Sequence, residues 1–228
     1  DNRRYFSRSD VLATKTALLQ GALCYYFVNE NFYALTQKLF LSMGFTEIEY
    51  IPQSLAMATY LLPAKTREGY AVILDVGDAA SVLLVAYGGG IVHQETFSCG
   101  VGQISAALMQ EFGVDFDKAC EILAAADVSG GFVKKDVMWT DRDGNSYPVQ
   151  RINDVIKCSL DELCEYTDDF FSRYYGNKKI AGDSTNPLYL TGEGVGEIRG
   201  LSEHVSRRLS RITQVVRPEI PYFDKPVY

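Results

Sequence analysis

Leu74-Asp75-Val76-Gly77-Asp78-Ala79-Ala80-Ser81-Val82-Leu83 is the stretch that decides the fold of this chain. The apolar run 71–74 ends in an aspartate and a glycine turn, and a second apolar run, 82–87, follows at once. Apolar residues on both sides of a short Gly/Asp break read as a strand, a tight acidic loop and a returning strand. The loop has the parts of a phosphate cradle. Asp75 can hold a magnesium ion or its waters, Gly77 lets backbone N–H groups approach phosphate oxygens, and the Ser81 hydroxyl offers a further donor. Asp78 works against that chemistry, because a glycine would serve better there.

Working outward, three successive strands are expected at 70–75, 81–87 and 90–98, the second turn being Gly88-Gly89-Gly90. Gly100-Val101-Gly102 then leads into a helix over 103–112, and Asp115 caps a helix over 116–126. Residues 128–147 read as a hairpin turning at Asp143-Gly144-Asn145, followed by a long helix over 149–175 and a polar linker over 176–187. A short strand at 188–190, the turn Thr191-Gly192-Glu193-Gly194, a helix over 200–210 and a strand at 212–216 complete this half. Upstream, Leu23-Cys24-Tyr25-Tyr26-Phe27-Val28 reads as a buried strand and Asn29 as the cap of a helix over 30–43. A strand at 45–51 and a helix from Pro52 through Leu61 follow, and 63–69 is a polar connection. Strands joined by hairpins, then helices, then strand–Gly loop–helix–strand, describe a layered α/β domain with a mixed sheet flanked by helices.

Composition narrows the function classes. With 47% hydrophobic and 22% charged residues, 228 residues form ordinary globular material with a sizeable core. A net charge of −7 argues against nucleic acid as a partner. The basic group Arg207, Arg208 and Arg211 reads as the solvated face of a terminal helix. The five cysteines form no C-x-x-C pair, so neither a disulfide framework nor a zinc site is indicated. They are expected to be reduced, mostly buried thiols of a cytoplasmic protein. His93 and His204 give little material for a metal site or a catalytic triad. No segment offers the roughly 18 apolar residues of a membrane span, and no signal peptide is read at the N-terminus. A chain opening at Asp1 without methionine is expected to be a piece of a longer one.

The order of these motifs resembles the second half of the actin/Hsp70-type ATPases, and within them the bacterial FtsA and PilM branch of cell division and type IV pilus assembly. The resembling parts are 70–81 as the second phosphate loop, 97–112 as the glycine turn and helix after it, and 188–194 as the adenosine loop. Ile51-Pro52-Gln53-Ser54-Leu55-Ala56-Met57-Ala58 is similar to the family's connecting helix, and Tyr222-Phe223-Asp224-Lys225-Pro226-Val227-Tyr228 to the tail of its domain. The resemblance implies an actin-like (RNase H-like) fold: a core subdomain of 63–112 with 184–228, a helical and hairpin side lobe over 113–183, and, over 1–62, the remnant of the extra subdomain with the connecting helix. It implies ATP and magnesium as ligands. Asp75 would serve the metal, and Gly77, Asp78, Ser81, Gly100 and Gly102 would line the phosphates. Gly192, Glu193 and Gly194 would line the adenosine.

Four departures bear on that implication. Asp78 and Ala79 replace loop glycines, and a carboxylate about 4 Å from a phosphate charge repels it by roughly 4 kcal/mol at an effective dielectric of ~20. The alternative is that Asp78 turns outward and caps its turn. Glu193 stands where the adenosine loop of the family has a second glycine. Ile51 replaces a glutamate that orients the attacking water in several relatives, and Ala107 an acidic residue. Four changes at one cleft favour a weak or lost nucleotide site with no catalytic residue. The resulting expectation is a cytoplasmic actin-like scaffold, at the inner face of the membrane through segments outside this chain. It would assemble with itself and recruit division or pilus components. The lobe 113–183 would be the partner surface, Trp139 and Tyr147 being either contact or core. The competing expectation is a working ATPase that switches assembly state; a sugar kinase lacks a candidate base here, and a chaperone lacks its peptide-binding domain.

Overall fold

The computed structural model describes residues 15, 17, 18, 23–130, 136–175 and 186–217. In chain order the elements are α1 (Glu30–Ser42), α2 (Gln53–Leu61), α3 (Ala64–Glu68), β1 (Ala71–Val76), β2 (Ser81–Tyr87), β3 (Gly90–Phe97), α4 (Val101–Phe112) and α5 (Phe116–Ala125). They continue with β4 (Met138–Thr140), β5 (Ser146–Pro148), α6 (Val149–Tyr175), β6 (Leu188–Thr191), α7 (Glu193–Glu197), α8 (Leu201–Arg208) and β7 (Thr213–Val215). Five strands form one mixed sheet in the order β3-β2-β1-β6-β7. β1, β2 and β3 pair antiparallel, while β6 runs parallel to both β1 and β7.

Side-chain alternation along β1 builds two cores. Val72, Leu74 and Val76 enter a large cluster with Leu83, Leu188 and Leu190, whereas Ala71 and Ile73 enter a smaller one with Leu84 and Ile91. A strand covered on both faces has no polar side to show, which is why 71–74 is an unbroken apolar run. The large cluster is closed by α4, α5, α6 and α8, the small one by α2 through Ala58 and by Leu62. On α6, Ile152, Ile156, Leu160, Leu163 and Phe170 recur at helical spacing and are all buried. Removing each such side chain from water contributes roughly 1.5–3 kcal/mol. The segment expected as a side lobe therefore shares its apolar core with the sheet. Its hairpin is β4–β5, shorter than expected, and Trp139 and Tyr147 both pack against that core.

Local chemistry explains several boundaries. The Asn29 carboxamide oxygen accepts from the N–H groups of Asn31 and Phe32, and the Asp115 carboxylate from that of Lys118. Gly113, at φ 65°, ends α4 in the left-handed conformation that favours glycine. The Asp141 carboxylate accepts from Asp143 N–H, Asn145 N–H and the Asn145 side chain, and the Lys118 ammonium sits 3.1 Å away.

Several expected elements and exposures differ in the structure. Residues 23–28 and 45–51 form no strand, and Leu23 and Phe27 are exposed at 78% and 94%. A strand needs a neighbouring ladder, and among the described residues none pairs with either stretch. What ties 23–28 down is side-chain chemistry. The Cys24 thiol donates to the Ile91 carbonyl (2.9 Å), and the Tyr26 hydroxyl accepts from the Ile91 N–H (3.2 Å). α1 buries no residue. The connection over 63–69 contains α3, and the cysteines split: Cys99 and Cys164 are buried, Cys24 and Cys158 exposed. The arginines of the α8 end are both solvated and engaged, Arg207 and Arg208 being exposed and Arg211 half-buried. Arg207 donates to the Val128 carbonyl, Arg208 pairs with Asp161 and Glu165, and Arg211 lies 4.4 Å over the Phe171 ring. The expected C-terminal tail, 222–228, lies outside the described residues.

Candidate functional site

At the end of β1 and β6 three turns meet: the β1–β2 loop, the turn before α4, and the β6–α7 turn. The helix after the glycine turn starts at Val101, two residues earlier than expected. Its first N–H groups are already engaged by the loop, Val101 donating to the Gly77 carbonyl (3.0 Å) and Gly102 to the Asp78 carbonyl (2.9 Å). Gln103 ties the two turns together, accepting from Gly100 N–H (2.7 Å) and donating to the Ala79 carbonyl (3.1 Å).

The glycines are needed for this interlock. A Cβ on Gly100 would collide with the carbonyl oxygens of Gly77 and Asp78, and one on Gly194 would meet Val76 Cγ1 at 2.6 Å and Val101 Cγ2 at 2.7 Å. Gly192 adopts φ 98°, and its missing Cβ leaves room for Asp75 Oδ1 and the Val76 carbonyl. Gly77 is in similar contact with the Ala80 carbonyl, at 2.6 Å from the ideal Cβ position. Ser81 is fully buried, and its hydroxyl donates to the Cys99 carbonyl at 2.6 Å.

The side chains left at this edge are acidic. Asp75 is half-buried, while Asp78, Glu193 and Glu197 are exposed. Glu193 opens the short helix α7, so the expected adenosine loop is helical from its third residue onward. Burial pushes the Asp75 carboxyl above the usual carboxylate range, and the Glu193 charge adds to the shift. Burial likewise raises Glu197, with Glu193 and Asp78 adding repulsion. Among the described residues no ion pair joins any of the four to a Lys or Arg. Thr191, the register partner of Asp75, is fully buried with its hydroxyl oxygen unpartnered. Among the described residues no three His, Cys, Asp or Glu side chains converge to hold a metal ion. Asp75 thus lacks the companions an all-protein metal site uses.

All nine expected site residues therefore come together, but several of their polar groups face each other. Sequence reasoning missed Glu197, Gln103 and Thr191. The Glu193–Glu197 spacing of four would have signalled the first once 193–197 was read as helical. Ile51, 58% exposed, precedes the N-cap of α2.

No family model and no curated protein sequence matches this chain. Solved structures do. MreB 5 of Spiroplasma citri bound to AMPPNP is 15% identical, with a TM-score of 0.64 over 82% of this chain and 60% of that one. The MamK filament gives 13% identity and a TM-score of 0.59 over 83% and 61%. The PilM–PilN type IV pilus biogenesis complex gives 18% and 0.56 over 82% and 47%. The chain thus spans roughly half to three-fifths of the structures it matches. Among the described residues no helix is long and apolar enough to cross a membrane. The mixed five-stranded sheet, its flanking helices and these neighbours show that the chain has the actin-like ATPase fold.

Proposed function

We propose that this chain is part of a cytoplasmic actin-like scaffold of the FtsA/PilM kind, whose nucleotide site is weakened or lost. In this reading it assembles with itself and recruits division or pilus components. The observation that carries the reading is the inward use of the phosphate-loop donors. The Ser81 hydroxyl is engaged by Cys99, and the first two α4 N–H groups by the loop carbonyls of Gly77 and Asp78. A polyphosphate approaching this edge would meet Asp78, Glu193 and Glu197. Each like-charge contact near 4 Å costs about 4 kcal/mol at an effective dielectric of ~20. ATP and magnesium therefore fit these residues poorly, and no hydrolytic step is derived through them. Neighbours that form a filament or a pilus-assembly complex support self-association and partner recruitment as the role.

The AMPPNP-bound neighbour favours a second reading, a nucleotide-dependent switch in which Asp75 serves the metal. Thermal shift and calorimetry with ATP and Mg2+ separate the two. The scaffold reading expects no change in Tm, and assemblies by light scattering and negative-stain microscopy with or without nucleotide. A Tm rise of several degrees that Asp75→Ala abolishes overturns the weakened site, and failure to associate at high protein concentration overturns the scaffold.

A further inference from the structure

A broad apolar surface lies away from the carboxylate edge, on α1 and the stretch before it. Phe32, Leu35, Leu39 and the C-cap Met43 follow at spacings of three and four. Around a helix of about 3.6 residues per turn they fall within roughly 80° of one another and form one stripe. All four are between 52% and 68% exposed. The adjoining face of α1 is already in use. The Tyr33 ring lies 5.0 Å from that of Tyr50, the Thr36 and Tyr50 hydroxyls are 2.8 Å apart, and the Phe40 ring meets the Phe45 ring edge-on. The 45–50 stretch thus covers one side of the helix and leaves the stripe beside it open. Just ahead of α1, Leu23, Tyr25 and Phe27 are exposed as well. Removing one such side chain from water is worth roughly 1.5–3 kcal/mol, and contiguous apolar patches of this kind mark interaction sites.

We propose that the stripe of Phe32, Leu35, Leu39 and Met43 is the contact through which two copies of this chain associate about a two-fold axis. The inference rests on the self-assembly part of the scaffold reading and names its surface. Charge and area select a second copy as the occupant. The chain carries a net charge of −7, yet between residues 23 and 45 the charged residues are Glu30 and Lys38 alone, which cancel. Two copies can therefore meet here without the like-charge repulsion that their other surfaces carry, and a strongly charged partner finds no counter-charge to answer it. The stripe leaves roughly 500 Å2 exposed on each copy, so a face-to-face pair covers about 1,000 Å2, the level a specific interface has to reach, before Tyr25 and Phe27 are counted. A stripe that is apolar along its whole length is also complementary to itself, as a two-fold contact requires.

The test is sedimentation velocity and equilibrium of the full chain over a wide concentration range. The expected result is a concentration-dependent dimer whose association weakens tenfold or more in Leu35→Gln/Leu39→Gln. Glutamine keeps the helix propensity of leucine, and both positions are exposed, so the far-UV circular dichroism of the variant is expected to match the parent's. The control is Leu41→Gln, an exposed leucine two residues on from Leu39 and so on the far side of the helix. It is expected to associate within twofold of the parent. Hydrogen exchange of the α1 amides in the parent, slowing as protein concentration rises, reads the same contact without any substitution. A monomeric parent, equal loss in Leu41→Gln, exchange that ignores concentration, or unchanged association in the double variant overturns the proposal. The last of these leaves self-assembly standing on another surface. A dimer that the double variant loses, but that builds no larger assembly by negative-stain microscopy, upholds the α1 contact and overturns the scaffold.

Discussion

Asp78 faces Gly102: its Oδ1 lies 3.2 Å from the position a Cβ on residue 102 would take. The carboxylate is exposed and can rotate, and the Asp78 carbonyl oxygen, at 3.3 Å, has to give by only a few tenths of an ångström. At Gly100 the neighbours are the backbone carbonyls of Gly77 and Asp78, which cannot move without opening the loop. Gly100→Ala is therefore expected to destabilise by roughly 2–3 kcal/mol. Gly102→Ala should stay within about 0.5 kcal/mol, since the better helix propensity of alanine offsets the adjustment. Urea denaturation of the two variants checks the contrast. Equal effects would mean that the interlock of loop and helix is not held by close carbonyl contact.

Asp75 makes stability depend on pH in an unusual direction for a carboxylate. Its folded-state pKa is raised, first by burial and then by Glu193. Its favourable contribution is thus complete below the unfolded value of about 4 and is lost as pH rises through the folded value. Asp75→Asn should raise Tm at pH 7, and the gain should vanish as pH falls toward 4. Glu193→Gln should act the same way but less, because burial is the larger cause. Tm measured against pH for the three proteins decides; a gain at pH 7 that persists unchanged in acid would refute the linkage.

Asp141 behaves in the opposite sense. Hydrogen bonds from Asn145 and Lys118 outweigh its burial and hold its carboxyl at about 2. The stabilisation is complete above the unfolded value of about 4 and is lost as pH falls through the folded value. The parent Tm should drop by several degrees between pH 4 and pH 2 in a component that Asp141→Asn lacks. Acid titration followed by circular dichroism measures it.

Leu160 tests whether the long helix belongs to the same folding unit as the sheet. It is 1% exposed and lies in the cluster that also holds Leu74, Leu83 and Leu190. Leu160→Ala should cost about 2–5 kcal/mol. The loss should appear in a single transition, seen alike by helical ellipticity and by exchange of the β1 amides. Melting of α6 ahead of the sheet would show that the shared core does not couple them.

Much of the architecture is legible in the sequence, and the reasons are local. The 74–83 stretch carried both flanks of a hairpin, and Asn29 and Asp115 announced helix starts that their side-chain bonds now account for. The Ile152, Ile156, Leu160 spacing marked α6. The stretches 23–28 and 45–51 misled because β-branched and aromatic residues report suitability for a pleated surface and not the presence of a partner strand. The site was legible in its membership and not in its bonding. That Ser81 would turn to Cys99 depends on β2 and β3 lying side by side, 18 residues apart in sequence. The partners of Arg208 and Arg211 are not legible locally, because Asp161, Glu165 and Phe171 reach them from a helix about 40 residues or more earlier in the chain.

The grip of Cys24 and Tyr26 on Ile91 fastens the 23–28 stretch by two side chains to the outer strand, which its own ladder with β2 holds in the sheet. Cys24 is an exposed thiol. A thiol reagent is thus a chemical latch on this junction: alkylating Cys24 loosens the aromatic stretch from β3 while the pairing of β1, β2 and β6 stays intact. The Ile91 amide, released to solvent, reports the opening.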